Sequence, residues 1–160
     1  MDYQVFADKA LQDTILSADE MDAVLDAPVE DLLPLLQSAF QVRQTYFGRK
    51  VHLHVLQNAK SGLCPEDCGY CSQSSVSKAS IEKYAMLPRE QIVQGAREAH
   101  SADALRYCIV TSGRGPTEGE LESLAGTVRE IKKEIDIEIC CCVGLLDQEQ
   151  AFFLKNAGVD

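Results

Sequence analysis

At 160 residues the chain is long enough for one ordinary domain with a real core. Apolar content of 46% beside 25% charged residues matches a soluble globular protein, and no apolar run approaches the ~18 residues of a membrane span. A net charge of −10, with basic residues scattered apart from Arg49-Lys50 and Lys132-Lys133, argues against a nucleic-acid phosphate partner.

Residues 1–48 read as an N-terminal helical segment. Ser17-Ala18-Asp19-Glu20 is a capping box that opens a short helix, with Met21, Val24 and Leu25 as its apolar stripe. A second helix starts near Pro28, carrying Leu32, Leu33, Leu36, Ala39, Phe40 and Phe47 at helical spacing, and ends at Gly48.

Residues 49–160 change to strand, loop and helix in alternation. Val51–Asn58 reads as a first strand and 59–80 as a long loop. Pro88 sits at a helix start, followed by Ile92, Val93 and Ala96. Ala104–Thr111 reads as a second strand. Gly113-Arg114-Gly115-Pro116 turns the chain, and the capping box Thr117-Glu118-Gly119-Glu120 opens a helix to about Lys133. Ile135–Val143 reads as a third strand. Asp147-Gln148-Glu149-Gln150 caps a helix that runs to Asn156 and stops at Gly158. Strands alternating with helices mean βα units and a parallel sheet.

The chemistry lies in the long loop. Cys64, Cys68 and Cys71 stand in Cys64-Pro65-Glu66-Asp67-Cys68-Gly69-Tyr70-Cys71, a C-x3-C-x2-C spacing. Three thiolates on one loop suit three corners of a [4Fe–4S] cluster, where electron carriers use four cysteines. No fourth ligand lies near, so one iron would stay open for a small molecule. The rival is a structural zinc site, which wants four N/S ligands, commonly as two C-x2-C pairs; only one such pair is present. A disulfide framework fits poorly. The cysteine count of seven is odd, and residues 1–16 lack a basic n-region and an apolar h-region. Reduced cysteines in the cytoplasm are the expectation.

Side chains alternate across a strand. In the third strand Ile135, Ile137, Ile139 and Cys141 share one face, and Asp136, Glu138, Cys140 and Cys142 share the other. The isoleucine face should pack on helices. In the second strand Leu105, Tyr107 and Ile109 should pack outward, leaving Arg106, Cys108 and Val110 inward. In the first, Val51, Leu53 and Val55 should point out, and His52, His54 and Leu56 in. A lone strand cysteine is usually a small buried hydrophobe, so periodicity alone leaves Cys108 and Cys140 between core and ligand.

Asn58-Ala59-Lys60-Ser61-Gly62-Leu63 running into CPEDCGYCSQS resembles the biotin synthase family of radical S-adenosylmethionine (SAM) enzymes, and the similarity runs from about Val51 to Asp160. The resemblance implies the N-terminal part of a (β/α)8 TIM-type barrel. It makes Cys64, Cys68 and Cys71 ligands of a [4Fe–4S] cluster whose open iron binds SAM. By position it makes Cys108 and Cys140 ligands of a second, [2Fe–2S] cluster, with Cys142 the alternative to Cys140 and Arg106 a neighbour that offsets cluster charge. Tyr70 occupies the slot where the family packs adenine. Thr111, Ser112 and Gly113 stand where related enzymes bind the SAM methionine amine through the backbone, although this chain lacks the commoner Gly-Gly-Glu there.

In the resembled chemistry SAM cleavage gives a 5′-deoxyadenosyl radical, which abstracts hydrogen from dethiobiotin, and sulfur from the [2Fe–2S] cluster closes the biotin ring. An electron donor such as flavodoxin or ferredoxin and a homodimer are implied likewise. A complete barrel takes about 250 residues, so the chain is expected to be roughly the first half of one and inactive alone. The alternatives are another radical SAM enzyme and a non-catalytic iron–sulfur-binding remnant.

Overall fold

The computed structural model describes all 160 residues, which pack as two compact units, Met1–Val51 and His52–Asp160. The first holds α1 (Gln4–Leu11), α2 (Ala18–Leu25), a 3-10 turn (Val29–Asp31) and α3 (Leu32–Phe47). Ser17 accepts from the Glu20 backbone N–H while the Glu20 side chain returns to the Ser17 N–H, so the expected capping box opens α2. Gly48 ends α3 at φ +55°, a conformation glycine adopts at little cost.

The α3 stripe differs from expectation. Leu33, Leu36, Phe40 and Phe47 are exposed, and Leu35, Ser38 and Val42 instead line a cavity of about 270 Å³ with Tyr3, Phe6 and Ala7, which the expected Ala39 also borders. Leucines at 32, 33, 35 and 36 give this helix two apolar stripes, and α1 packs on only one of them. Buried Ser38 satisfies its hydroxyl on the Pro34 carbonyl, one turn back.

The second unit runs β1 (His54–Lys60), α4 (Arg89–Ser101), β2 (Arg106–Thr111), α5 (Glu118–Glu134), β3 (Glu138–Cys142) and α6 (Gln148–Ala157). The three strands form one parallel sheet in the order β1-β2-β3. This is the α/β architecture that the alternation implied; the barrel is not closed within these residues. The core lies between one sheet face and the helices. Tyr107, Ile109 and Ile139 are fully buried there against Ile92, Val93, Leu124, Val128 and Ile131. The Tyr107 hydroxyl donates to the Ile92 carbonyl at 3.0 Å beside the Gln57 amide, and burial raises its pKa further above the usual tyrosine value.

Strand boundaries are shorter than the apolar runs. Val51 and Leu53 are exposed, and pairing begins where Leu105 N–H donates to the Leu53 carbonyl at 2.9 Å. Ile135 and Ile137 are buried without joining β3. Capping boxes hold the starts of α5 at Thr117 and α6 at Asp147. Thr117→Ala is expected to cost roughly 1 kcal/mol, read as a small fall in the urea midpoint at unchanged slope. No loss at all would mean that Glu120 alone secures this helix start.

Beyond α6 the chain returns to the sheet. Asp160 N–H donates to the Ile139 carbonyl at 2.9 Å, and its carboxylate accepts from Ile139 N–H at 2.7 Å and from Lys132 Nζ at 2.5 Å. Burial pushes that carboxyl up, but the hydrogen bonds from Lys132 and Ile139 outweigh it and hold the pKa low. No helix is long and apolar enough to cross a membrane.

Candidate functional site

The sheet's second face carries the polar residues that alternation assigned to it. Register sets them in three rows: His54, Arg106 and Glu138; Leu56, Cys108 and Cys140; Asn58, Val110 and Cys142. No helix covers this face, so Leu56 is 63% exposed while Cys108 and Cys140 are half-buried. In the first row Arg106 donates from Nε at 2.9 Å and Nη2 at 2.6 Å to Glu138 Oε2. The guanidinium pKa is raised by that hydrogen bond and by the carboxylate's charge. Arg106 and Glu138, both expected on this face, thus meet as an ion pair.

Cys108 and Cys140 are direct cross-strand partners in the middle row, and Cys142 stands one row on beside Val110. Desolvation, a hydrogen bond to Cys140 and the nearby Cys140 and Cys142 thiols push the Cys108 thiol up to about 12. Cys141 points the other way, into the helix-packed side, and burial pushes it up to about 12.

The cysteine loop leaves β1 at Lys60 and returns before α4. Its ends are clipped together by an antiparallel bridge between Ser61 and Tyr84, with N···O distances of 3.1 and 3.0 Å. The Tyr84 hydroxyl adds a bond to the Asn58 carbonyl at 2.8 Å. Inside the clip, Ser75 donates from its backbone N–H and its hydroxyl to the Glu66 carbonyl, at 2.8 and 3.0 Å. Cys71 N–H turns back onto the Cys68 carbonyl at 3.2 Å. The residues between Cys64 and Ser75 thereby form a closed lobe without helix or strand.

All seven cysteines are free. Cys64 and Cys71 are half-buried and Cys68 is exposed. The lobe holds the three thiols within eight residues, but nowhere do three His, Cys, Asp or Glu side chains converge into metal-holding geometry. Beside Cys64 lies a cavity of about 110 Å³ lined by Ser72, Ser74, Ser75, Ser77 and Lys83. Ser74 Oγ is buried there without a hydrogen-bond partner, as is Asn58 Oδ1 at the foot of the lobe. Tyr70 is 96% exposed, its ring against nothing in the chain.

Thr111-Ser112-Gly113 runs beside the lobe's root. Ser112 N–H donates to the Lys60 carbonyl at 2.9 Å, and the Ser112 hydroxyl donates to the Gly62 carbonyl. Gly113 sits at φ +138°, a conformation that disfavours any side chain. Residues that the motif reading passed over complete the corner. Lys60 Nζ meets Glu120 Oε1 at 2.6 Å, and Arg114 meets Glu66 at 2.9 Å on the surface. Only the capping box pointed to Glu120; nothing local pairs it with a lysine 60 residues away.

The family model for the Radical SAM superfamily matches residues 60–160. Among curated proteins the chain is similar to the biotin synthase of Anoxybacillus flavithermus, at 49% identity over 160 residues, covering 100% of this chain and 49% of that protein. The biotin synthase of Bacillus subtilis is 48% identical over 154 residues, covering 96% and 46%. The chain therefore spans about half the length of the curated relatives it matches. Among solved structures, that of HydG, a maturase of the [FeFe]-hydrogenase, superposes with a TM-score of 0.71 at 17% identity, covering 99% of this chain and 35% of that one. At that identity the likeness is one of fold.

Proposed function

From the premise that this chain belongs to the radical SAM superfamily, we propose that it supplies the cluster-binding and SAM-binding part of a biotin synthase. The activity is sulfur insertion into dethiobiotin. The single observation that carries the reading is the C-x3-C-x2-C lobe in a chain about half of whose residues match those of biotin synthases.

The residues present fit a cluster. Cys64, Cys68 and Cys71 are free thiols at or near the surface, on a lobe with no helix or strand to hold them apart. A metal centre and its ligand geometry form together, so binding would draw the three inward. The buried, unpartnered hydroxyl of Ser74 beside Cys64 is a donor without an acceptor until something enters that space. Zinc is the weaker candidate, since a structural site wants a fourth N/S ligand and the lobe offers three thiols and no histidine.

When bound, a [4Fe–4S] cluster with SAM at its open iron supplies one-electron cleavage of SAM and the hydrogen abstraction that follows, and a [2Fe–2S] cluster supplies sulfur. The protein's part is to bind and orient. Cys64, Cys68 and Cys71 provide three thiolates and leave the fourth position vacant for substrate. The exposed ring of Tyr70 offers a face for adenine. Backbone carbonyls of Thr111, Ser112 and Gly113 would meet the SAM amino group, while the Ser112 N–H and hydroxyl are already engaged by Lys60 and Gly62.

Cys108 and Cys140, side by side on the uncovered face, would hold the [2Fe–2S] cluster. Their pairing favours biotin synthase over a radical SAM enzyme with one cluster. Cys140 is preferred to Cys142 because it alone stands opposite Cys108. The same reading implies a (β/α)8 barrel around that face, with residues 1–48 a helical segment before it and 49–160 its first part. It also implies a homodimer, a flavodoxin- or ferredoxin-like electron donor and a cytoplasmic setting.

Anaerobic reconstitution with iron and sulfide tests the reading. Iron and acid-labile sulfide should bind, with a Mössbauer and EPR signature that changes when SAM is added. Bound zinc in place of iron, or a cluster indifferent to SAM, would contradict it.

A further inference from the structure

The Lys60–Glu120 pair occupies a place that cluster binding does not explain. Lys60 is the last residue of β1 and the root of the cysteine lobe; Glu120 lies in the first turn of α5. Each side chain is about one-fifth exposed, so this is not a solvated surface pair of little consequence. The Glu120 carboxylate divides its work. Oε2 accepts from Thr117 N–H at 2.9 Å and closes the capping box, and Oε1 accepts from Lys60 Nζ at 2.6 Å. Burial raises the Glu120 pKa, but the Lys60 and Thr117 hydrogen bonds outweigh it and hold the group low.

What lies beside the pair gives it its meaning. The Lys60 ammonium ends beside Gly113, 3.9 Å from where a Cβ on that glycine would stand. On the other side, the Lys60 and Gly62 carbonyls accept from the Ser112 N–H and hydroxyl. The Ser112-Gly113 corner is therefore hydrogen-bonded to the Lys60 main chain, with the Lys60 ammonium ending beside it. Ser112 fastens it to the lobe, and Glu120 fastens the lysine to α5.

We propose that Lys60 and Glu120 are positioning residues that hold the Ser112-Gly113 backbone at a fixed distance from the cysteine lobe, so that a ligand spanning the two meets both at once. This rests on the reading that SAM is that ligand. Without the pair the corner keeps the Ser112 bonds and the Leu145 N–H bond to the Arg114 carbonyl at 2.7 Å, but the start of α5 is no longer tied to the end of β1. Ligand bridging two parts loses affinity when their spacing is no longer fixed.

The test separates positioning from folding. Glu120→Gln keeps a side-chain oxygen for the capping box, which accepts Gln as well as Glu, while removing the charge that Lys60 meets. Lys60→Met removes the ammonium and keeps the stem; Lys60→Arg keeps the charge. Each variant of the full chain is reconstituted beside the wild type. Bound iron, the SAM concentration that half-converts the cluster EPR signal and the urea midpoint are measured.

We expect unchanged iron content, a SAM midpoint roughly tenfold higher in Lys60→Met and Glu120→Gln, in line with residues that orient a site from behind it, and recovery in Lys60→Arg. The Lys60→Met/Glu120→Gln double variant should lose no more than either single, because the two act as one unit. Unchanged SAM midpoints in all variants would overturn the proposal. So would a tighter SAM midpoint in Lys60→Met, which would make Glu120 a direct attractor for the cationic ligand. If the wild type itself bound iron without responding to SAM, the functional reading would fall and this inference with it.

Discussion

Replacing Cys64, Cys68 and Cys71 together by alanine is expected to abolish the SAM-responsive [4Fe–4S] signal that the reconstituted wild type gives. The magnitude is all or none, because three thiolates of one lobe are the whole protein ligand set proposed for that cluster. The lobe contributes nothing to the buried core, and its closure rests on Ser75, Glu66, Ser61 and Tyr84. The triple variant should therefore unfold in urea at the wild-type midpoint when both are free of iron. Residual iron should fall to whatever Cys108 and Cys140 retain, and Cys108→Ala/Cys140→Ala should remove that remainder while sparing the SAM response. Full SAM-responsive cluster in the triple variant would show that the motif is not the site.

The largest stability loss is expected at the centre of the helix-packed side. Leu124 is 1% exposed among Ile92, Val128 and Ile139, in a layer where a strand face and a helix face interlock. Leu124→Ala removes buried carbon and leaves a cavity that the surrounding branched side chains cannot collapse into, so a cost of about 2–5 kcal/mol follows. The check is the urea midpoint at constant slope. Leu36→Ala serves as the control: Leu36 is 53% exposed, and its loss should be within about 0.5 kcal/mol. Equal losses at the two positions would mean that the α3 surface is covered in solution.

Local chemistry was the readable part of this chain. All three capping boxes and both glycine stops are where Ser17, Thr117, Asp147, Gly48 and Gly158 put them, because a cap depends only on residues within one turn. The parallel sheet followed from alternation, and the period of two sorted Tyr107, Ile109 and Ile139 from Arg106, Cys108 and Cys140. Register was not readable. Whether Cys140 or Cys142 stands opposite Cys108 depends on how β3 slides along β2, and sequence period is blind to a slide of two.

The α3 face was misread for a related reason. Its leucines satisfy the helical period twice over, and only tertiary packing selects Leu35 and Val42 over Leu36 and Phe40. Long-range ion pairs such as Lys60 with Glu120 leave no periodic trace. Arg106 and Glu138 were readable as opposite charges on one face of adjacent strands, but their partnership is a fact of register.

Asp160 gives the sheet a further property. In a parallel strand alternate residues direct their amide groups to opposite neighbours, so Ile139 and Cys141 address the side of β3 away from β2. Asp160 takes both polar groups of Ile139, one with its main chain and one with its carboxylate. Its carboxylate is in turn held by Lys132, so the Ile139 position is tied to the end of α5 as well. Asp160 thus carries the hydrogen-bond pattern of the sheet one step past β3, main chain to main chain, as a following parallel strand does.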